Sequence, residues 1–234
     1  MKFQTPLIEG RLVKRYKRFF ADVELANGET VTAHCANTGA MTGIKEAGLR
    51  VWLSRSDNPK RKLKYSWELV EADDTLIGAL PARANELAEE AVADGRISEL
   101  AGYESLRREV KYGENSRIDL LLESDGRAPC WVEVKNVHWM RAPGIAEFPD
   151  GVTSRGAKHL GELSQKARAG ERAVQLFIVQ RIDCQVLRPA RDIDPVYAEA
   201  LKSAAQAGVE ILAYGCSLTS GSIDVAHAMS VEIE

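Results

Sequence analysis

Apolar and polar residues alternate in short bursts through the first seventy positions, with no stretch of helical period among them. The alternation predicts strands over 7–16, 19–25, 30–35, 50–55 and 63–71, since side chains of a strand point to opposite faces in turn. Asn27-Gly28 is the residue pair of a two-residue hairpin between the second and third. Asp57-Asn58-Pro59 marks a turn between the last two. Five short strands without a long helix predict a small closed barrel, of which the five-stranded oligonucleotide-binding (OB) type is the economical choice.

The pattern changes after the acidic Glu71-Ala72-Asp73-Asp74 and the segment 78–81, which together suggest a boundary. Beyond it the spacing predicts a helix over 82–94 and a short element at 97–100. Strands follow at 106–112, 116–123 and 130–137. A loop rich in Gly and Pro covers 141–151, and a helix spans 155–169. The run 173–180 reads as a buried central strand, and a helix over 195–207 and a strand over 209–214 give a βαβ-like ending. The expected fold is α+β: an OB-like barrel over 1–80 and an α/β domain over 81–234.

Composition narrows the classes. A chain of 234 residues can bury real cores in one large or two small domains. It holds no apolar stretch of membrane-spanning length, and Met-Lys-Phe-Gln-Thr-Pro lacks a secretory signal's apolar run. Cysteines at 35, 130, 184 and 216 form no C-x-x-C, and the four histidines show no ligand spacing. Reduced thiols in a cytoplasm are expected and a zinc site is not. The net charge of −3 is uninformative, but its distribution is not. Residues 1–70 carry thirteen Lys and Arg against seven Asp and Glu, a balance of +6, and the remainder carries −9. That asymmetry points the N-terminal part at a polyanion.

Two basic clusters with aromatics among them carry much of that charge: Lys14, Arg15, Lys17 and Arg18 beside Tyr16, Phe19 and Phe20, and Lys60, Arg61, Lys62 and Lys64 beside Tyr65. Cations and rings so mixed suit a single nucleic-acid strand; cations guarding strand edges are the plainer alternative. For Phe19, Phe20, Trp52 and Trp67 a place in the barrel core is the expectation.

The sharpest candidate chemistry lies on a hairpin. Arg117-Ile118-Asp119-Leu120-Leu121-Leu122 precedes the turn Ser124-Asp125-Gly126-Arg127, and Trp131-Val132-Glu133-Val134-Lys135 follows it. Period two puts Glu133 and Lys135 on one face. If pairing is symmetric about Gly126, Asp119 lies across from Glu133. Two carboxylates and an ammonium then share a face and suit Mg²⁺ or Mn²⁺, hard cations that take oxygen ligands and, for Mg²⁺, keep several waters. An exposed Glu-x-Lys ion pair is the competing reading, but both strands are largely apolar, which disfavours surface decoration. Glu90, beside Leu87 and Ala91 on the first helix, is either a further shell carboxylate or a surface residue. On the second, Thr153-Ser154 offers an N-cap, while Arg155 and Lys158 put cations against the helix dipole, an arrangement suited to receiving phosphate. His159 is left open between a structural and a catalytic role.

The order helix, three strands, helix, strand with D…E-x-K resembles the core of the PD-(D/E)xK nucleases. Longer stretches are similar to the sugar fermentation stimulation protein family: Cys35-Ala36-Asn37-Thr38-Gly39-Ala40-Met41-Thr42-Gly43, Ile97-Ser98-Glu99-Leu100-Ala101-Gly102-Tyr103, Glu109-Val110-Lys111-Tyr112-Gly113, Ser116-Arg117-Ile118-Asp119, Phe148-Pro149-Asp150, Arg155-Gly156-Ala157-Lys158-His159-Leu160 and Gly208-Val209-Glu210-Ile211-Leu212-Ala213-Tyr214. The resemblance spans nearly the whole chain. It implies DNA binding, a link to expression of sugar-utilisation genes, and an OB-like barrel joined to a PD-(D/E)xK-type domain. It also implies that Asp119, Glu133 and Lys135 are the nuclease motif and that Glu90 is the helix glutamate. In an enzyme of that kind Arg117 or Lys158 would grip neighbouring phosphates, and Arg155 is a further candidate for DNA contact. Two departures are visible. Ala36 replaces the usual proline, and His138-Trp139 stand where smaller residues are usual, which would narrow the cleft mouth. The expected activity is a metal-dependent DNA phosphodiesterase. A non-catalytic DNA-binding regulator is the alternative, RNA remains open as a partner, and so does a homo-oligomer.

Overall fold

The structure, a computed structural model, describes residues 1–112 and 116–233. Gly113, part of one family-like stretch, lies outside the described residues. The N-terminal part is a sheet of six strands: β1 (Ile8–Tyr16), β2 (Phe20–Leu25), β3 (Thr30–His34), β4 (Arg50–Arg55), β5 (Tyr65–Ala72) and β6 (Thr75–Gly78). Their order is β3-β2-β1-β4-β5-β6, and a further parallel pairing of β3 with β5 closes the first five into a barrel. Closure follows from the apolar alternation: Leu12, Ala21, Val23, Ala33, Leu53 and Trp67 are all buried and fill one interior.

The sixth strand was not expected. Asp73 and Asp74 do not open a linker; both adopt positive φ, 51° and 56°, in a tight turn that folds β6 back on β5. Asp is among the residues that tolerate this region. Phe19 also departs from expectation. It is 45% exposed at the β1–β2 turn, while Trp52 and Trp67 are core.

The remainder is built on a nine-stranded sheet flanked by α1 (Arg83–Ala93), α2 (Ser154–Arg168) and α3 (Pro195–Gln206). Its strands are β7 (Ser105–Tyr112), β8 (Ser116–Glu123), β9 (Cys130–Val137), β10 (Trp139–Ala142), β11 (Ile145–Phe148), β12 (Arg172–Val179), β13 (Val186–Pro189), β14 (Glu210–Leu218) and β15 (Ile223–Val231). They lie in the order β10-β11-β13-β15-β14-β12-β9-β8-β7. Centrally, β12 runs parallel to both β9 and β14, which explains why its sequence is almost continuously apolar. Strands β10 and β11 occupy much of the stretch expected to be a loop, paired across a turn at Pro143-Gly144.

Period two along β9 sorts its side chains. Cys130, Val132 and Val134 join α1 on one face, whereas Trp131 and Val137 join α2 and α3 on the other. The first cluster also takes in Trp52 and Leu69 of the barrel, so the two parts share one apolar core. At the other end of the sheet, Asp194 caps α3 by accepting from Tyr197 N at 2.9 Å and also accepts from Thr153 N at 2.7 Å. Thr153 in turn caps α2, accepting from Gly156 N. One buried carboxylate thus fixes the start of both helices.

Replacing Asp194 with Ala should strand two backbone N–H groups and lower stability by about 2–4 kcal/mol. Urea unfolding would show this as a lower midpoint at unchanged slope. A midpoint within experimental error of the wild type would show that the two helix starts hold without it.

Candidate active site

The hairpin pairs Leu120 with Val132, Leu121 with Trp131 and Leu122 with Cys130. Gly126 supplies the positive φ, 72°, at its turn. Continuing that register sets Asp119 opposite Glu133. At this point the ladder gives way to side chains. Asp119 Oδ2 accepts from Val134 N at 2.7 Å, and Oδ1 accepts from Asn85 Nδ2 of α1 at 2.8 Å. The aspartate is therefore held rigidly by its neighbouring strand and by the helix above it.

Glu133 is 2% exposed. Its Oε1 accepts from Lys135 Nζ at 2.5 Å and from His159 Nδ1 on α2. Arg155 Nε donates to the far side of that ring, Nε2, at 3.2 Å. An acceptor at Nε2 requires the proton on Nδ1, so the arginine selects the tautomer that donates to Glu133. Gln175, the partner of Glu133 across β12, donates to its backbone carbonyl at 3.0 Å.

The two carboxylates differ electrostatically. Burial, and then the charge of Glu133, push the Asp119 carboxyl up to about 6 despite bonds from Val134 and Asn85 and the charge of Lys135. Burial would raise Glu133 too, but the bonds and charges of His159 and Lys135 outweigh it and hold its carboxyl below the ordinary range. At neutral pH both are ionised side by side, a pairing that favours a cation.

The residues fit a divalent ion. Glu133 Oε2 is buried and has no hydrogen-bond partner, and the donors are hard carboxylate oxygens. Among the described residues, no three His, Cys, Asp or Glu side chains converge into a complete cage. Two protein carboxylates with the remaining positions open to water suit Mg²⁺ or Mn²⁺ better than a structural zinc. The four thiols are buried and unpaired as disulfides, and burial pushes those of Cys130, Cys184 and Cys216 up to about 11, 12 and 12. Thiolate chemistry is thereby disfavoured.

Glu90 requires correction as a site residue. It points away from Asp119, accepting from the Met1 amine at 2.9 Å and from Arg96 at 3.0 Å. Positions 85 and 90 stand about 140° apart around a helix, so only one can face the hairpin. Asn85 takes that place, and no sequence signal distinguished it. Gln175 stands out in the sequence as an amide in the middle of the apolar run 173–179. Arg117 is exposed on β8, and Lys158 lies 3.6 Å from Glu162 one turn along α2. Arg155 serves His159 directly.

The basic clusters meet on one rim of the barrel. Phe20 pairs with His34 and His34 with Ser66, which brings the β1–β2 turn carrying Lys17 and Arg18 near the β4–β5 loop carrying Lys60, Arg61, Lys62 and Lys64. Lys14 lies 3.6 Å from Asp22, Arg61 donates to Ser66 Oγ, Lys64 donates to Asn58 O, and Arg15 donates to the carbonyls of Arg18, Asn37 and Gly39. This rim borders α1, because Arg83 in its first turn bonds Glu68 of β5 at 2.9 Å. His138 is buried and faces Asp150, 3.6 Å away, while Trp139 lies under Arg141.

An OB barrel joined to an α/β domain that buries a D…E-x-K pair defines a two-part protein with its candidate site beside the junction. Comparisons specify it further: residues 13–79 match the SfsA N-terminal OB domain and residues 82–222 the sugar fermentation stimulation protein RE domain. The chain belongs to the sugar fermentation stimulation protein family. It is 76% identical to a homologue from Maricaulis maris, covering 100% of this chain and 99% of that one. It is 56% identical to a homologue from Paramagnetospirillum magneticum, covering 100% and 98%. The structure of Pyrococcus furiosus SfsA in complex with Ca²⁺ superposes with a TM-score of 0.89 at 29% identity, covering 99% and 98%. No helix among the described residues is long and apolar enough to cross a membrane.

The raised Asp119 carboxyl sets a pH test. The folded chain holds that proton more tightly than the unfolded one, so its contribution favours the fold below about 4 and is lost as pH rises through about 6. A divalent cation should therefore raise Tm by several degrees at pH 7.5 and hardly at pH 5, as differential binding to the fold requires. Thermal melts with Mg²⁺, Mn²⁺ and Ca²⁺ would show it. An equal shift at both values, or a shift persisting in Asp119→Asn, would place the cation elsewhere.

Proposed function

We propose that this protein is a divalent-metal-dependent phosphodiesterase acting on DNA. The buried Asp119–Glu133 pair, with Lys135 on the same sheet face and a basic barrel rim alongside, carries the reading. Binding a polyanion requires no paired carboxylates, which alone would repel phosphate. The Ca²⁺ complex of the Pyrococcus furiosus relative supports a divalent cation at this family's fold, and Mg²⁺ or Mn²⁺ is the working ion proposed here. Asp119 and Glu133 would hold it, and it would supply water activation at neutral pH and charge to offset that developing on the phosphate.

The protein's own groups do the positioning. Asn85 and Val134 N–H keep Asp119 in one orientation, and His159, fixed by Arg155, does the same for Glu133. Lys135 places an ammonium where negative charge grows on the phosphate oxygens, or where an attacking water is held. In-line displacement forms one P–O bond from water and breaks the P–O bond to the leaving sugar oxygen, which ends protonated. Preorganised charges of this kind act without reorganising during the step. The DNA reaches them past the rim carrying Lys14, Arg15, Lys17, Arg18 and the 60–64 cluster. The barrel rim also supports a second reading, a DNA-binding regulator that does not cleave.

Labelled single- and double-stranded DNA incubated with Mg²⁺, Mn²⁺ or EDTA discriminates the two. Cleavage should need metal and vanish in Asp119→Ala and Glu133→Ala, while DNA affinity in EDTA stays near wild type. Lys135→Ala should lose about a hundredfold or more. His159→Asn keeps an N–H donor where Nδ1 stands and should retain far more activity than His159→Leu. Metal-independent cleavage, or cleavage surviving Glu133→Ala, would sink the enzymatic reading, and binding without cleavage would favour the regulator.

A further inference from the structure

Between the barrel and the α/β part runs a groove of about 660 Å³. Arg15, Arg18 and Lys45 line its barrel side, and Asn136, His138 and Thr153 are on the opposite wall. Two cations of the barrel sit against carboxylates, Lys14 with Asp22 and Arg50 with Glu9 and Glu71. These three do not. Arg15 Nη2 donates to the carbonyls of Arg18, Asn37 and Gly39 at 3.2, 2.8 and 3.2 Å, and its Nε is buried with no partner. Lys45 Nζ donates to Ala40 O at 2.7 Å. Among the described residues no carboxylate forms an ion pair with any of the three. Backbone carbonyls hold Arg15 and Lys45 in place without cancelling their charge.

One acid, Asp150, shares the lining, and it is already engaged. Its Oδ2 accepts from Met41 N at 3.1 Å and lies 3.6 Å from His138 Nε2. That bond pins the barrel loop to the opposite wall. At Gly39 there is no room for a side chain, since a Cβ would stand 2.9 Å from the same carboxylate. The groove is thus a channel of fixed width rather than an opening between loosely joined parts.

Its walls are built on the same elements as the carboxylate pair. Asn136 directly follows Lys135 on β9, Pro81 in the lining stands one helical turn before Asn85, and Thr153 caps the helix that carries His159. A cation-lined groove beside the β1–β2 turn of an OB barrel suits a single strand, whose phosphates such a surface can follow.

We infer that this groove is a binding track for a single polynucleotide strand, whose phosphates Arg15, Arg18 and Lys45 hold as it passes to Asp119 and Glu133. The inference rests on the nucleic-acid reading above and adds the strandedness of the ligand and its route. Unpaired cations set along a channel are how sequence-tolerant single-strand sites follow a backbone.

Fluorescence anisotropy in EDTA, where cleavage plays no part, tests it with labelled oligo(dT), oligo(U) and the matching DNA duplex. Wild type should prefer single strands to the duplex, with the two homopolymers showing which sugar is taken. The pair Arg18→Glu and Lys45→Glu, both exposed and remote from the core, should cost at least tenfold in single-strand affinity and flatten its salt dependence. Arg188→Glu, on the α/β part away from the groove, should cost nothing. Single-strand affinity within twofold of wild type in the double variant, or tighter binding of duplex than of either strand, overturns the inference. A protein that cleaves duplex DNA yet fails here would lose the track and keep its proposed chemistry; one that prefers single strands yet never cleaves would lose only the chemistry.

Discussion

Two like charges placed side by side in a largely buried site are the constraint around which the α/β part is arranged. Glu133 and Asp119 face each other across a hairpin whose other side chains are mostly apolar. Left alone, such a pair would drive one member to protonate. The structure shares the burden unevenly. Glu133 receives an ammonium from its own strand and an imidazole N–H from α2, while Asp119 receives only neutral donors. The result is one carboxylate held ionised and one poised to respond to a cation. Helices α1 and α2 approach the sheet from opposite faces, and each delivers one donor to this point.

The barrel is attached so that its charge reaches the same place. Its closure by β3 against β5 brings two basic segments, distant in sequence, to one rim, and Arg83 ties that rim to the first turn of α1. Glu68, which receives Arg83, is itself 2% exposed, so this is a partly buried ion pair at the junction of the two parts. The excess of positive charge in the first seventy residues is a local arrangement beside the carboxylates, with the negative balance spread over the remainder.

Much of this was readable from residue order. Period-two alternation and Asn27-Gly28 sufficed for the barrel strands, and symmetry about Gly126 yielded the register that faces Asp119 with Glu133. What escaped had physical reasons. Strands β6, β10, β11 and β13 are four residues each, too short for alternation to stand out, and Pro143-Gly144 and Asp73-Asp74 read as breaks although each closes a hairpin. Strand β15 does carry the signal, alternating over Ile223–Val231 directly after the turn residues Thr219-Ser220-Gly221-Ser222. The helix glutamate failed for another reason. A wheel shows which residues neighbour an apolar stripe but not which flank meets the hairpin; the Met1 amine and Arg96, far apart in sequence, draw Glu90 to the other side.

Trp52 and Leu69 of the barrel lie in the same apolar cluster as α1 and the central strands. Cutting the chain between its two family segments would therefore expose a hydrophobic scar on each piece, of the kind that drives chains to associate. The halves of this protein are separable in an alignment but not in water: heat or denaturant should melt them together, and evolution cannot exchange one without recutting the face of the other.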